Sequence, residues 1–389
     1  MSTAKAKRGV LGWLGGNIAA GGKAWVAVWD HREPATSLAL TRMLVALAIL
    51  GDLLAAYHLG LVEAVWSPPP DGFSNMDLRN PSWVIRVWGA GPETAWIAWG
   101  LTVGFCVAVF TGTFTRVSCV ALAVMSAQLA YMAPDGDRGI DKLLRVVLLV
   151  LALSGSHAKF SVDAVIRRRI FKRPIGGPLG VVSAWPRYLL FLQLIWLYFV
   201  AGVAKAGGGW NPVNGLNVLT RIWSDPHLSK VDPDTAASLW PVGIAFTAGT
   251  LLFECGAFAW ILAMYWDRTR DRPGRLRRWS NKLRLRWVFM ISGIGLHLGI
   301  AMTLRLGMFP FGCLALYPVL IAPDEWRRAW RWIRRMPPEP KAAVVTATEA
   351  ATATATAAVT AAAAVTEAEP EPAAEAGSDA APAPATSTP

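Results

Sequence analysis

Charge is scarce in this chain. Asp, Glu, Lys and Arg make up 16% of its 389 residues, against about 25% in ordinary soluble domains. With 54% apolar residues and a mean hydropathy of +0.37, that shortage excludes a water-soluble globule. Cysteine is scarce as well. Cys106, Cys119, Cys255 and Cys313 each sit inside an apolar run, and none forms a CxxC pair. A thiolate zinc site and a dithiol redox centre are therefore excluded, and the four read as small buried hydrophobes. There is no HExxH, no Ser/His/Asp arrangement and no phosphate-binding glycine loop, so hydrolase and nucleotide-driven transport readings have no motif and no metal is expected. Residues 1–35 lack a compact apolar core with a cleavage site, so no cleavable signal peptide is expected.

Acids are outnumbered by bases, 26 to 38, for a net charge of +12. Residues 342–389 hold six acids and no base, which leaves +18 on the rest. A basic balance can signal nucleic acid. Here the arginines lie in clusters between apolar runs, which is the pattern of membrane topology, and no nucleic-acid partner is expected.

What is present is a series of long apolar runs and 20 tryptophans. A membrane span needs about 20 apolar residues, fewer if it is bent or shielded. Eight runs qualify: Ala35–Tyr57, Thr94–Phe114, Val117–Ala133, Leu143–His157, Tyr188–Lys205, Trp240–Trp266, Trp287–Leu304 and Met308–Ala322. The expected fold class is all-α, a polytopic transmembrane helical bundle of about eight spans. Leu11–Trp29, with Trp13, Trp25, Trp29 and Lys23, reads as an interfacial helix before it. Three regions follow: an N-terminal segment over 1–34, the membrane domain over 35–336, and an Ala/Thr/Glu/Pro-rich tail over 337–389. The tail has no periodic apolar face to bury and is expected to be disordered. The basic clusters before span 1, at Arg116, at Arg167–Arg173, at Arg268–Arg286 and at Arg327–Arg335 all fall on one side if there are eight spans. That places both termini in the cytoplasm of an integral, multi-pass protein.

Ionisable residues inside the apolar runs are the candidates for function. Lys205 ends the fifth run, just before Gly207-Gly208-Gly209-Trp210. Partial desolvation there favours a neutral amine, which can act as a base. A lysine at a helix end is equally the mark of a side chain snorkelling to the interface. His297 lies within the seventh run, either bonding a neighbour or facing a cavity. Arg42, Asp52 and Glu254 read as structural intramembrane charges, with Arg42 expected to pair with Glu254 or Asp52. Asp141 opens the fourth run, as an N-cap or as part of an outer pocket.

Two separated stretches carry a family likeness. Tyr198-Phe-Val-Ala-Gly202-Val-Ala-Lys205, followed by Trp210 and Gly215, resembles the lysine-bearing segment of the vitamin K-dependent γ-glutamyl carboxylases. His297, then Gly307-Met-Phe-Pro310, Pro318 and Pro323-Asp-Glu-Trp326, is similar to a second segment of the same membrane domain, the HTTM domain. Asp141-Lys-Leu-Leu-Arg145, Phe160-Ser-Val-Asp163 and Trp185-Pro-Arg187 add to the likeness. The resemblance implies a carboxylase-like enzyme using reduced vitamin K or a menaquinol-like quinone, with O2 and CO2 as co-substrates. It implies Lys205 as the base, His297 and Asp141 as the polar wall, and Tyr198, Gly202 and Trp210 beside the cofactor. Where the family has a histidine at the start of the fourth span, this chain reads Gly139-Ile140-Asp141. The family's large outer β-rich domain has no counterpart in these residues, so the expected partners are membrane lipid or quinone and a peptide substrate or separate substrate-binding protein. A bacterial inner membrane is the expected setting. The other reading is a non-catalytic factor for maturation, export or immunity of a small peptide, similar to sporulation-delaying toxin factors.

Overall fold

A computed structural model describes residues 26, 31–172, 174, 180–205 and 207–337. The helix expected over Leu11–Trp29 lies outside them except for Val26, and so do residues 338–389 of the tail. The described chain is mostly helical, with one small antiparallel strand pair, β1 (Arg32–Pro34) and β2 (Val181–Ser183), in which Glu33 faces Val182.

Five helices are long and apolar enough to cross a membrane. They are α1 (Thr36–His58), α2 (Pro92–Thr111), α3 (Thr115–Met132), α5 (Trp185–Ala204) and α9 (Leu285–Thr303). α6 (Trp240–Cys255) and α7 (Ala257–Arg268) meet at a 63° bend and count as a sixth if taken as one broken span. Two of the eight expected runs do not form helices of that length. The fourth run forms α4 (Gly139–Leu153), only 15 residues long, with Asp141, Lys142 and Arg145 in its first half. The eighth, Phe309–Leu320, is shorter still. Pro310 opens α10 (Phe309–Leu314), and Pro318 lies in the 3-10 turn Tyr317–Leu320 that follows. Among the shorter helices are α8 (Arg275–Lys282) and α11 (Pro323–Ile333).

Side chains partition within each helix. Leu38, Val45, Ile49 and Leu53 of α1 are buried, while Leu44, Leu47 and Leu54 are exposed. In a bilayer, lipid tails accept those outward leucines as well as a core would, so packing quality and polar contacts hold the helices together. The polar contacts gather at two ends. At one end Arg187 pairs with Glu33 (Nη2 to Oε2, 2.8 Å) and donates to Val319 O (3.0 Å). Asp163 accepts from the backbone of Phe114 and Thr115, and Arg286 bridges Asp267 and Glu325 (3.0 and 2.5 Å). At the other end Arg138 pairs with Asp52 (2.6 Å), and Lys230 N–H donates to Thr303 O (2.8 Å).

Arg42 shows why the sequence misassigned one partnership. It is wholly buried, and its guanidinium donates to the carbonyls of Ser156 (3.4 Å) and Phe160 (2.5 Å) rather than to Glu254 or Asp52. Asp52 lies ten residues further along α1, about 15 Å away at ~1.5 Å per residue, and meets Arg138 instead. Cys106, Cys119 and Cys313 are buried as expected, but Cys255 is exposed at the α6–α7 bend.

Candidate functional site

The apolar run of α5 ends at Lys205, and the side chain there finds a counter-charge. Nζ lies 2.6 Å from Glu254 Oε2, donates to Ala201 O at 3.2 Å and sits 5.3 Å from the centre of the Trp210 ring. The Lys205 side chain keeps 23% of its surface exposed and Glu254 only 9%, so the pair is reachable from the lysine side alone. Gly202 makes the meeting possible. A β-carbon on it would lie 2.7 Å from Cys255 N and 2.9 Å from Glu254 C. The bare Cα lets α5 lie against the last turn of α6, and three residues later Lys205 is level with Glu254. Gly202, expected beside the cofactor, is thus in a helix-packing contact.

Below this pair runs a buried hydrogen-bonded triad. Tyr198 Oη is 2.7 Å from His297 Nε2 and 2.9 Å from Tyr317 Oη. All three side chains lie in the core, with Phe253 edge-on to Tyr198 (5.1 Å) and Phe309 tilted against His297 (6.0 Å). His297 Nδ1 is buried with no protein partner. Tyr317 was not singled out in the sequence. Its one available signal was a lone hydroxyl in an apolar stretch, which must find a partner when buried.

Asp141 belongs elsewhere. It caps α4 by accepting from Arg138 N and Nε, both at 2.9 Å, and Arg138 in turn holds Asp52. Burial disfavours the Arg138 charge, but hydrogen bonds to Asp141 and Asp52 outweigh it and hold the guanidinium above its ordinary range. Asp52, Arg138, Asp141 and Arg145 line a cavity of about 380 Å³ with Trp66 and Met308. A second cavity of about 570 Å³ shares Asp52, Gly307 and Met308 with it and is otherwise walled by apolar side chains such as Leu47, Phe311 and Leu314. Neither cavity is lined by Lys205 or His297.

The expected constellation of Lys205, His297 and Asp141 is therefore divided. The segment Gly307-Met308-Phe309 is the partition, with Met308 on the cavity and Phe309 against His297. Gly307 has φ +54°, a left-handed turn that favours glycine, and Arg138 Nη1 would stand 2.8 Å from a β-carbon there. Tyr198 joins His297, and Trp210 joins Lys205, as adjacent groups. Glu254, read as a structural charge, proves to be the partner of Lys205. Among the described residues no group of three or more His, Cys, Asp or Glu side chains could hold a metal ion.

Comparison with known proteins gives one result. The HTTM domain, shared with vitamin K-dependent gamma-carboxylase, matches residues 31–273. That range includes Lys205, Glu254, Tyr198 and Asp141, and stops short of His297, Gly307 and Tyr317. No curated protein and no solved structure matches the chain.

Proposed function

The chain belongs to the HTTM domain family, and on that premise we propose that it is a carboxylase-like membrane enzyme acting through a reduced quinone where α5 ends. The observation that carries this reading is the Lys205–Glu254 pair, closed at 2.6 Å and open only on the lysine side. An unpaired charge at such depth costs several kcal/mol, about 2.5–3.5 on insertion scales. A lysine–carboxylate pair avoids that cost and can hold its proton at either end of the bond.

Glu254 takes the ammonium's proton along the hydrogen bond, which leaves Lys205 as a neutral amine. That amine then accepts a second proton from a bound hydroxyl. The pair finishes with one extra proton, balanced by the negative oxygen left opposite the ammonium. Reduced vitamin K or a menaquinol-like quinone, when bound, supplies that hydroxyl and the reducing power for chemistry with O2, CO2 and a peptidyl glutamate. The site suits a flat ring. Nothing lies within 4 Å of where β-carbons on Gly207 or Gly208 would be, so a ligand can approach their backbone, and Trp210 covers the amine. Tyr198 and His297 hold α5 in place from within the core. Asp141 shapes the separate cavity and takes no part in the proton step.

The membrane arrangement follows the same reading. With α4 and Phe309–Leu320 taken as short crossings, the chain makes eight passes, and the arginine-bearing end of the bundle faces the cytoplasm. Lys205 then opens to the outer face of an inner membrane. A peptide substrate, or a separate protein that presents it, approaches there.

The test uses purified chain, reduced menaquinone and an oxygen electrode. Quinol-dependent oxygen uptake is expected, and Lys205→Ala should abolish it. Lys205→Arg should abolish it too, because a guanidinium cannot release its proton to Glu254. A fully active arginine variant would remove Lys205 as the base.

A further inference from the structure

The loop between α7 and α9 carries a feature that the Lys205 site does not use. α8 is docked by one face. Arg277 donates to Pro273 O (2.9 Å) and lies 5.8 Å from the Tyr265 ring centre, Asn281 donates to Trp266 O (3.0 Å), and Ser280 is buried. The opposite face carries Arg275, Arg278 and Lys282, spaced i, i+3, i+7, so the three cations form one stripe along the helix. They line a cleft of about 220 Å³ with Trp279, whose ring lies 5.7 Å from Lys282 Nζ. None of the three has an ion-pair partner among the described residues, and the nearby Asp267 is already held by Arg270 and Arg286.

A second stripe runs beside the first. Leu276, Trp279 and Leu283 repeat the same spacing one position on, and they are 71%, 61% and 51% exposed. A helix with neighbouring cationic and apolar stripes lies in the headgroup layer, its apolar side chains at the acyl boundary and its cations at the phosphates. α8 sits in the right place for this, leading through Leu283 and Arg284 directly into the membrane helix α9.

We propose that the outer face of α8 is a binding site for an anionic phospholipid headgroup, with Arg275, Arg278 and Lys282 on the phosphate and Leu276, Trp279 and Leu283 on the acyl chains. The paired stripes select lipid over free phosphate, because a soluble anion has no use for the apolar half. The site is independent of any chemistry at Lys205.

The test is native mass spectrometry of the full chain released from nanodiscs of phosphatidylcholine with a minor share of phosphatidylglycerol. Wild type should retain phosphatidylglycerol preferentially. Arg275→Gln/Arg278→Gln/Lys282→Gln should reduce that retention about tenfold or more, since each surface cation contributes about 1 kcal/mol toward anionic lipid. Arg167→Gln/Arg168→Gln/Arg169→Gln, an equal change of charge elsewhere, should leave it intact. Equal loss in both triple variants, or none in the first, would overturn the site. Displacement of the lipid by inorganic phosphate at equal concentration would overturn the lipid assignment. Should the first variant not be recovered folded, Leu276→Ser/Leu283→Ser keeps every cation and should still weaken retention. Unchanged retention there would count against the proposal.

Discussion

Glu254 stands 49 positions after Lys205 in the chain, yet its carboxylate closes on the lysine amine at 2.6 Å because Gly202 lets the two helices touch. The partnership joins the last turn of α5 to the bend between α6 and α7. It places an ionisable pair at a break in the membrane helices, where one side of the pair stays accessible.

Glu254→Gln separates the proton relay from the fold. The amide keeps a hydrogen bond to Lys205 but cannot take its proton, so quinol-dependent oxygen uptake should fall to background. The lysine is left partly buried without a counter-charge. Breaking a buried pair costs about 3–5 kcal/mol, and the partial exposure of Lys205 reduces the expected loss to about 1–3 kcal/mol. Thermal unfolding in detergent measures it. Lys205→Met/Glu254→Leu should recover the stability without the activity. Full activity in Glu254→Gln would contradict the relay.

Gly202→Val tests the close approach. Its β-carbon meets backbone rather than a movable side chain, so α5 must shift off α6. The expected loss is about 1–3 kcal/mol, in the range of overpacked cores. A lowered unfolding midpoint together with loss of the Lys205–Glu254 contact checks it, and a variant as stable as wild type would deny the contact.

The buried triad should behave as a coupled unit. Tyr198→Phe leaves His297 Nε2 and Tyr317 Oη without their shared partner, and each unsatisfied buried group costs about 1–3 kcal/mol. Tyr198→Phe combined with His297→Leu should cost less than the sum of the two single changes. Strict additivity in a double-mutant cycle would show that the hydrogen bond contributes nothing.

Glu325 gives a pH dependence of known sign. Burial raises its carboxyl, but hydrogen bonds from Arg286 and the Ala322 backbone outweigh this and hold it below its ordinary 4.5. A depressed folded value means that the stabilisation is fully present above the ordinary value and is lost as pH falls through the lowered one. Unfolding midpoints should therefore drop on acidification below about 4.5 in wild type. Glu325→Gln should be less stable at neutral pH and show a smaller acid-dependent loss. An unchanged acid limb would remove Glu325 from the linkage.

Topology can be read by labelling. On a background with Cys106, Cys119, Cys255 and Cys313 replaced, a single cysteine at exposed Val213 and another at exposed Met336 should react from opposite sides of the membrane. Reaction of both with the same impermeant reagent, added from one side of sealed vesicles, would rule out the proposed crossings.

The membrane class and the five long helices were legible in the sequence, because apolar runs and basic clusters are local signals. The fourth and eighth runs were legible only as apolar. Their lengths as helices were set by Asp141, Lys142 and Arg145 in one and by Pro310 and Pro318 in the other. The bend at Gly256 was not read from the sequence, although Glu254 and Gly256 interrupt the apolar run Trp240–Trp266 at that point.

Charge pairing was the part that spacing could not supply. The sequence determined that Arg42, Asp52 and Glu254 each needed a partner, because an isolated charge in lipid is too costly. It did not determine which partner. Only the tertiary structure decided that, by stacking α5 on α6 through Gly202, by setting Arg138 over Asp52, and by turning Arg42 toward two backbone carbonyls. The same packing separated Asp141 from Lys205 and brought Tyr317 to Tyr198, because helix contacts are fixed by surface shape across the bundle and not by distance along the chain.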